Sequence, residues 1–226
     1  MRNLQAVFFD MDGLMFDTER LSAALWVKHA PTFGLHLKIE DLTLLRGRNA
    51  ADGRAAFLEK FGANAPFDAL CAAMRAEFQD SLRTKMPILP GLMELLTFLQ
   101  GQKIPMAVVS STRKELVQQH LKVAGIASYF DALLCGDMVK HSKPCPDIYL
   151  LAAQTLCVAP GNCLVLEDSY NGVRAGHAAG CYTVMVPNMD LPTPEMLEKA
   201  DAVLPSLFEV ISLIQKNLLR DQLGQS

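Results

Sequence analysis

A rhythm limits what this chain can fold into more than any other feature of its sequence. Short apolar runs end one after another on a polar or acidic residue: Ala6 to Phe9 before Asp10, Ala107 to Val109 before Ser110, Ala132 to Cys135 before Gly136 and Asp137, and Leu164 to Leu166 before Glu167 and Asp168. A fifth run covers Tyr182 to Val186. Between most of them lie segments with helical periodicity: Leu92, Leu95, Leu96 and Leu99 occupy i, i+3, i+4 and i+7, and so do Ile148, Leu151, Ala152 and Thr155. Strand-length runs alternating with amphipathic helices predict βαβ units, hence an α/β fold built on a parallel sheet. A run that is apolar at every position, such as Cys163-Leu164-Val165-Leu166, suits a strand covered by helices on both faces.

The first interval breaks the rhythm. Roughly seventy residues separate the first run from Pro87-Ile88-Leu89-Pro90, far more than one crossover helix requires. Their periodicity is helical: Ala23, Trp26, Val27, Ala30 and Phe33 make one stripe, and Phe67, Leu70, Cys71, Met74, Phe78 and Leu82 another. The sequence therefore predicts an α/β core from residues 1–15 and 87–226, with a small helical domain inserted at residues 16–86.

Composition narrows the function classes. Half of the 226 residues are hydrophobic and 20% are charged, which excludes a disordered or fibrous chain. Twenty-one Lys and Arg against 24 Asp and Glu leave a net charge of −3 without long runs of either sign, so neither nucleic acid nor an anionic membrane surface is an expected partner. The apolar stretches are strand-sized, well short of the ~20 residues that span a bilayer. The N-terminal residues lack the pattern of a secretion signal, so the expectation is a cytoplasmic protein acting on a small molecule. Six irregularly spaced cysteines, with no C-x-x-C pair, read as reduced core thiols.

In open parallel sheets, ligands bind outside the carboxyl ends of the strands. The residues expected there are Asp10 with Asp12, Ser110 with Ser111, and Glu167 with Asp168, while Lys143 lies in the loop after the third run. Converging carboxylates repel one another unless a hard cation such as Mg²⁺ joins them, and a lysine with hydroxyls suits the oxygens of a phosphoryl group. His141 and His177 lack metal-ligand spacing and read as structural or surface residues. Gly172, Gly176 and Gly180, interleaved with alanines, read as close helix packing rather than a dinucleotide loop.

Asp10-Met11-Asp12-Gly13 behind an apolar strand, Ser110 behind the second, Lys143-Pro144 after the third and Glu167-Asp168-Ser169 behind the fourth together resemble the four ordered motifs of the haloacid dehalogenase superfamily. The Asp-Met-Asp-Gly-Leu opening, the helical insertion, and the Lys-Pro-x-Pro-Asp and Glu-Asp-Ser-x-x-Gly segments look like its β-phosphoglucomutase-like branch. The resemblance covers essentially the whole chain. It implies a Rossmann-like parallel sheet core, helices on both faces, and an inserted α-helical cap. It also implies that Asp10 is the nucleophile and Asp12 the acid and base, and Gly13 beside the phosphate site permits the turn that lets both carboxylates reach one cavity. Mg²⁺ would be held by the Asp10 carboxylate, the Asp12 backbone carbonyl and Asp168, with Glu167 as a further ligand or an outer partner. Ser110 and the Ser111 backbone N–H would bind the phosphoryl group, and Lys143 would neutralise it while keeping Asp10 ionised.

Substrate contacts fall, on the same resemblance, to Trp26 and to Arg46, Gly47 and Arg48 in a loop like the branch's specificity loop. Trp26 also lies on an apolar stripe, which leaves a core role open, and either arginine could simply be solvated. The branch's mutases present a His two residues after the position of Arg20 and an Arg four residues after that of Arg46. This chain has Ser22 and Ala50 there. The expected activity is therefore a Mg²⁺-dependent phosphatase acting on a small phosphomonoester, a sugar or polyol phosphate. A β-phosphoglucomutase-type mutase is the alternative, and a catalytically silent binding scaffold a further one. The expected assembly is a monomer or weak dimer.

Overall fold

Val, Ile, Leu and Phe pack well on a pleated, covered surface, and the apolar runs do become strands. The computed structural model describes residues 3–45 and 50–223. In chain order it runs β1 (Ala6–Phe9), α1 (Thr18–His29), α2 (Ala50–Phe61), α3 (Phe67–Thr84), α4 (Leu92–Gly101) and β2 (Met106–Ser110). There follow α5 (Lys114–Ala124), β3 (Ala132–Cys135), α6 (Asp147–Thr155), β4 (Cys163–Glu167) and α7 (Tyr170–Ala178). Last come β5 (Tyr182–Met185), α8 (Pro194–Lys199), β6 (Ala202–Val203) and α9 (Leu207–Leu223). The chain divides into two compact units, Met1–Asp17 with Pro87–Ser226, and Thr18–Met86.

In the first unit the described strands form one six-stranded sheet, ordered β3-β2-β1-β4-β5-β6, with every neighbouring pair parallel. The sixth strand was not expected from sequence. It has only two residues, half-buried, paired with Val184 and Met185 at the sheet edge, too short to leave a periodic trace. The register places Phe8 of β1 opposite both Ala107 of β2 and Val165 of β4. The chain builds outward from β1 through β2 to β3, then returns to lay β4 on the other side of β1. That reversal is a topological switch point, where the carboxyl ends of β1 and β4 open side by side.

Every residue of β1, β2 and β4 is buried, as strands covered on both faces require. On one face Phe8, Val109 and Val165 pack with Ile148, Tyr149 and Ala152 of α6 and Ala175 of α7. Side chains of the opposite parity, Val7, Phe9 and Val108, are equally hidden, and Phe9 meets Phe130 edge-on at 5.7 Å. Full burial contributes about 1.5–3 kcal/mol for each large apolar side chain, which makes the sheet a stiff platform for whatever its strand ends carry. Of the glycines expected to mediate close packing, Gly176 does: a Cβ there would lie 2.6 Å from Thr183 Oγ1. Gly180 does not, because it faces open space and serves instead as a left-handed residue, φ 74°, just beyond α7.

The second unit is helical. Its α1 packs along α3, and Trp26, Phe57, Phe61 and Phe67 form an aromatic cluster with ring centroids 4.6–5.8 Å apart. Phe57 and Leu70 are wholly buried. Ion pairs decorate its exterior: Lys28 with Glu77 at 2.5 Å, Arg54 with Asp68 at 2.9 Å and Lys60 with Asp41 at 2.6 Å. Among the described residues no helix is long and apolar enough to cross a membrane.

Candidate active site

Asp10 follows β1 directly, and its N–H still donates to Leu166 O of β4 at 3.0 Å, so the sheet itself fixes where this carboxylate starts. The chain then turns tightly. Met15 and Phe16 N–H both donate to Met11 O, and Gly13 N–H donates to Phe16 O at 2.8 Å. Gly13 sits at φ 91°, in the left-handed region, and a Cβ on it would lie 2.0 Å from Asp168 Oδ2. Backbone angle and space both demand glycine there. Beyond the turn, Asp17 N–H donates to Pro87 O and Leu89 N–H to Met15 O, which ties the outgoing and returning passages together.

Lys143 organises the cluster. Its side chain is 5% exposed, and its ammonium donates to Asp10 Oδ1 at 2.5 Å, Glu167 Oε1 at 2.7 Å and Val109 O at 2.9 Å. An ammonium has three donors, and all three are engaged. Glu167 ends β4, wholly buried. Its Oε1 also accepts from the Tyr149 hydroxyl at 2.6 Å, and its Oε2 accepts from Ser169 Oγ at 3.0 Å and Ser169 N–H at 3.3 Å. Ser169 in turn caps α7 by accepting from Gly172 N–H. Gly172 leaves room for the glutamate, since a Cβ there would lie 1.8 Å from Glu167 Cδ. Asp168 is buried next door, and Asp10, Glu167 and Asp168 can each present an oxygen within 4.8 Å of the others.

The charges do not balance within this cluster. Three carboxylates face one ammonium, and burial followed by the nearby Glu167 pushes Asp10 up to about 8, against the pull of Lys143. Burial alone would lower Lys143, but Asp10 and Glu167 together raise it, so the ammonium keeps its proton. Burial and the same two carboxylates raise the Tyr149 phenol well above its ordinary range, so it remains a donor. A buried, oxygen-only donor set with excess negative charge is the kind that a hard divalent cation fits. Within that set Glu167 has all four lone-pair positions committed to protein donors, which favours an outer role over direct ligation.

Asp12 is half-buried, and its Oδ2 accepts from Thr112 Oγ1 at 3.0 Å. Ser110, the buried last residue of β2, accepts from Thr112 N–H at 3.0 Å, while Ser111 is exposed. A Cβ on Gly136 would lie 2.1 Å from Ser111 O, so this glycine lets the loop after β3 close on the loop after β2. Asn188, after β5, donates to Gly13 O at 3.0 Å and Asp17 Oδ1 at 3.2 Å. Trp26 joins the helical unit's interior, 6% exposed and tilted against Phe57 and Phe67, so its packing supports a core role over substrate contact. Arg46, Gly47 and Arg48 lie outside the described residues. His141 pairs with Asp147 at 2.9 Å and His177 faces Lys199 O at 3.0 Å.

Sequence reasoning missed Tyr149, Thr112, Ser169 as a partner of Glu167, Gly136 and Asn188. One of them left a usable signal: Tyr149 adjoins Ile148 and shares the buried face of α6 with it, where a buried phenol must find a partner for its hydroxyl.

Comparison with known proteins matches this arrangement. The family model of the haloacid dehalogenase-like hydrolases aligns with residues 7–186. Hexitol phosphatase A of Escherichia coli K12 is 33% identical over 92% of this chain and 94% of its own length. Fructose-1-phosphate phosphatase YqaB of the same organism is 33% identical over 80% of this chain and 95% of its own. The crystal structure of a HAD family hydrolase from Deinococcus radiodurans R1, with bound phosphate and sodium, superposes with a TM-score of 0.84 at 27% identity, covering 97% of this chain and 98% of that one. A sheet switch point lined by these four motifs, and a family model spanning most of the chain, place it among the haloacid dehalogenase-like hydrolases.

Proposed function

We propose that this chain is a Mg²⁺-dependent phosphatase of small phosphomonoesters, most naturally sugar or polyol phosphates, working through an aspartyl-phosphate at Asp10. The observation that carries the reading is the Asp10 carboxylate, buried at the switch point and held at 2.5 Å by Lys143, with Asp168 beside it. The relatives named as hexitol and fructose-1-phosphate phosphatases support the substrate class, and the phosphate and sodium in the Deinococcus structure support the ligand chemistry.

Asp10 attacks phosphorus in line, forming an O–P bond as the ester O–P bond breaks. Asp12, positioned by Thr112, gives its proton to the departing alkoxide. In the second half Asp12 takes a proton from water, the water oxygen bonds to phosphorus, and the bond to Asp10 breaks to release phosphate. Ser110 and the Ser111 N–H bind the transferring group. Lys143 holds Asp10 in place, and it must give up one of its three present bonds to meet a phosphoryl oxygen. Mg²⁺ would be held by Asp10, Asp168 and the Asp12 carbonyl, where it supplies the positive charge that the cluster lacks. Glu167 then serves as the fixed outer partner of Lys143. Arg46 and Arg48 are assigned to ester selection.

Phosphate release across sugar, polyol and nucleotide monophosphates, with and without Mg²⁺, tests the reading. Release concentrated on sugar or polyol esters and abolished by chelation supports it. Isomerisation of β-glucose 1-phosphate with its bisphosphate, with little phosphate freed, points to a mutase. Silence on every ester sinks both.

A further inference from the structure

Tyr149 does more than fill the sheet face on which it packs. Its ring stacks on Phe8 at 6.5 Å and 15°, in a layer that is otherwise apolar, where Phe would pack as well at lower desolvation cost. Its hydroxyl instead reaches Glu167 Oε1 at 2.6 Å, and Lys143 Nζ lies 5.0 Å from its ring centroid. Glu167 is thereby gripped from every side: Tyr149 and Lys143 on one oxygen, Ser169 on the other, and the bare Cα of Gly172 against the carboxyl carbon. Of these partners, Tyr149 makes its single hydrogen bond among the described residues with this carboxylate, whereas Lys143 divides its donors among three acceptors and Ser169 also caps a helix.

We propose that Tyr149 is a positioning residue, whose hydroxyl fixes Glu167 so that the glutamate aims the Lys143 ammonium at Asp10 and thereby sets how tightly the cluster takes up Mg²⁺. The inference rests on the phosphatase reading for its consequence in turnover, but its consequence for metal binding stands apart from any substrate. Without the hydroxyl, Glu167 Oε1 keeps Lys143 as its one partner, the carboxylate gains a rotational freedom it now lacks, and Lys143 is drawn away from Asp10. The Asp10 carboxylate is then less well held for a cation.

The test is Tyr149→Phe in the full chain, which keeps the ring, its stack on Phe8 and three of the four bonds to Glu167, so the fold persists and a thermal melt verifies it. Isothermal calorimetry with MgCl₂ is the first readout and steady-state phosphate release the second. Outer partners of metal sites typically matter by 10–100-fold, so the expected result is a Mg²⁺ Kd raised about fivefold or more and kcat lowered about tenfold, with KM held within about twofold. In a Glu167→Gln background the same Tyr149→Phe change shifts the Mg²⁺ Kd by less than about twofold, because the carboxylate it acts through is gone. A Kd for Tyr149→Phe equal to wild type, or an equal loss in both backgrounds, overturns the proposal and leaves the hydroxyl as packing. Wild-type protein that binds Mg²⁺ yet frees no phosphate from any ester overturns the phosphatase reading instead, and the calorimetric comparison still decides the role of Tyr149.

Discussion

The two units place their charges in opposite surroundings. In the α/β unit, Asp10, Glu167 and Asp168 are buried around the strand ends, and the buried Lys143 ammonium bonds Asp10, Glu167 and the Val109 carbonyl. In the helical unit the charges lie outside, as in Arg54–Asp68 and Lys60–Asp41, and the interior is aromatic. Burying charge costs several kcal/mol per ion even after relaxation, and a chain that only needed stability would fill that space with apolar side chains. The difference teaches where to look for chemistry: the expensive arrangement marks the site, and the inexpensive one marks a scaffold.

The comparison can be broken most forcefully at Asp10. Asp10→Asn should lower phosphate release by about 10⁴-fold or more, measured by steady-state assay, with far-UV circular dichroism unchanged. The same carboxylate should govern how metal-free stability depends on pH. Its folded value, near 8, lies above its ordinary 3.8, so its stabilising contribution is complete below 3.8 and is lost as pH rises through about 8. Thermal melts in chelator should therefore fall across that window, Asp10→Asn should flatten the fall, and Mg²⁺ should oppose it. A flat wild-type profile would contradict the charge deficit.

Changes in the aromatic interior of the helical unit should act on stability alone. Phe57→Ala removes the most buried ring of the aromatic cluster and should cost about 3–5 kcal/mol in denaturant melts, while the Mg²⁺ Kd of the folded variant stays within about twofold of wild type. A large change in metal affinity would erase the division of labour drawn above. Smallest of all, Arg54→Ala breaks a fully exposed pair with Asp68 and should leave the melting temperature unchanged within error.

The same contrast explains what could be read from sequence. A parallel sheet delivers the carboxyl ends of its strands to one edge, so residues as distant as Asp10, Ser110 and Glu167 group together from the sequence alone. Lys143 belongs to no strand, and its loop after the third run together with its place in a recognised motif points to it. Tyr149, Thr112 and Asn188 reach the site through hydrogen bonds to residues 18, 100 and 175 positions away, and no local pattern encodes such a pairing. The glycine-alanine pattern places Gly172 in helix packing, yet what it accommodates is the Glu167 carboxylate. Periodicity served the helical unit as well as it could: it put Trp26 on an apolar stripe, and the packing of that ring follows the stripe.

Trapping the intermediate tests the central claim most directly. Protein mixed with Mg²⁺ and a turned-over sugar phosphate, quenched in acid and digested, should carry one phosphoryl group on the peptide containing Asp10, and Asp10→Asn should carry none. Phosphate release with the label on another residue, or with no label under any quench time and undiminished in Asp10→Asn, would contradict Asp10 as the nucleophile and the account built upon it.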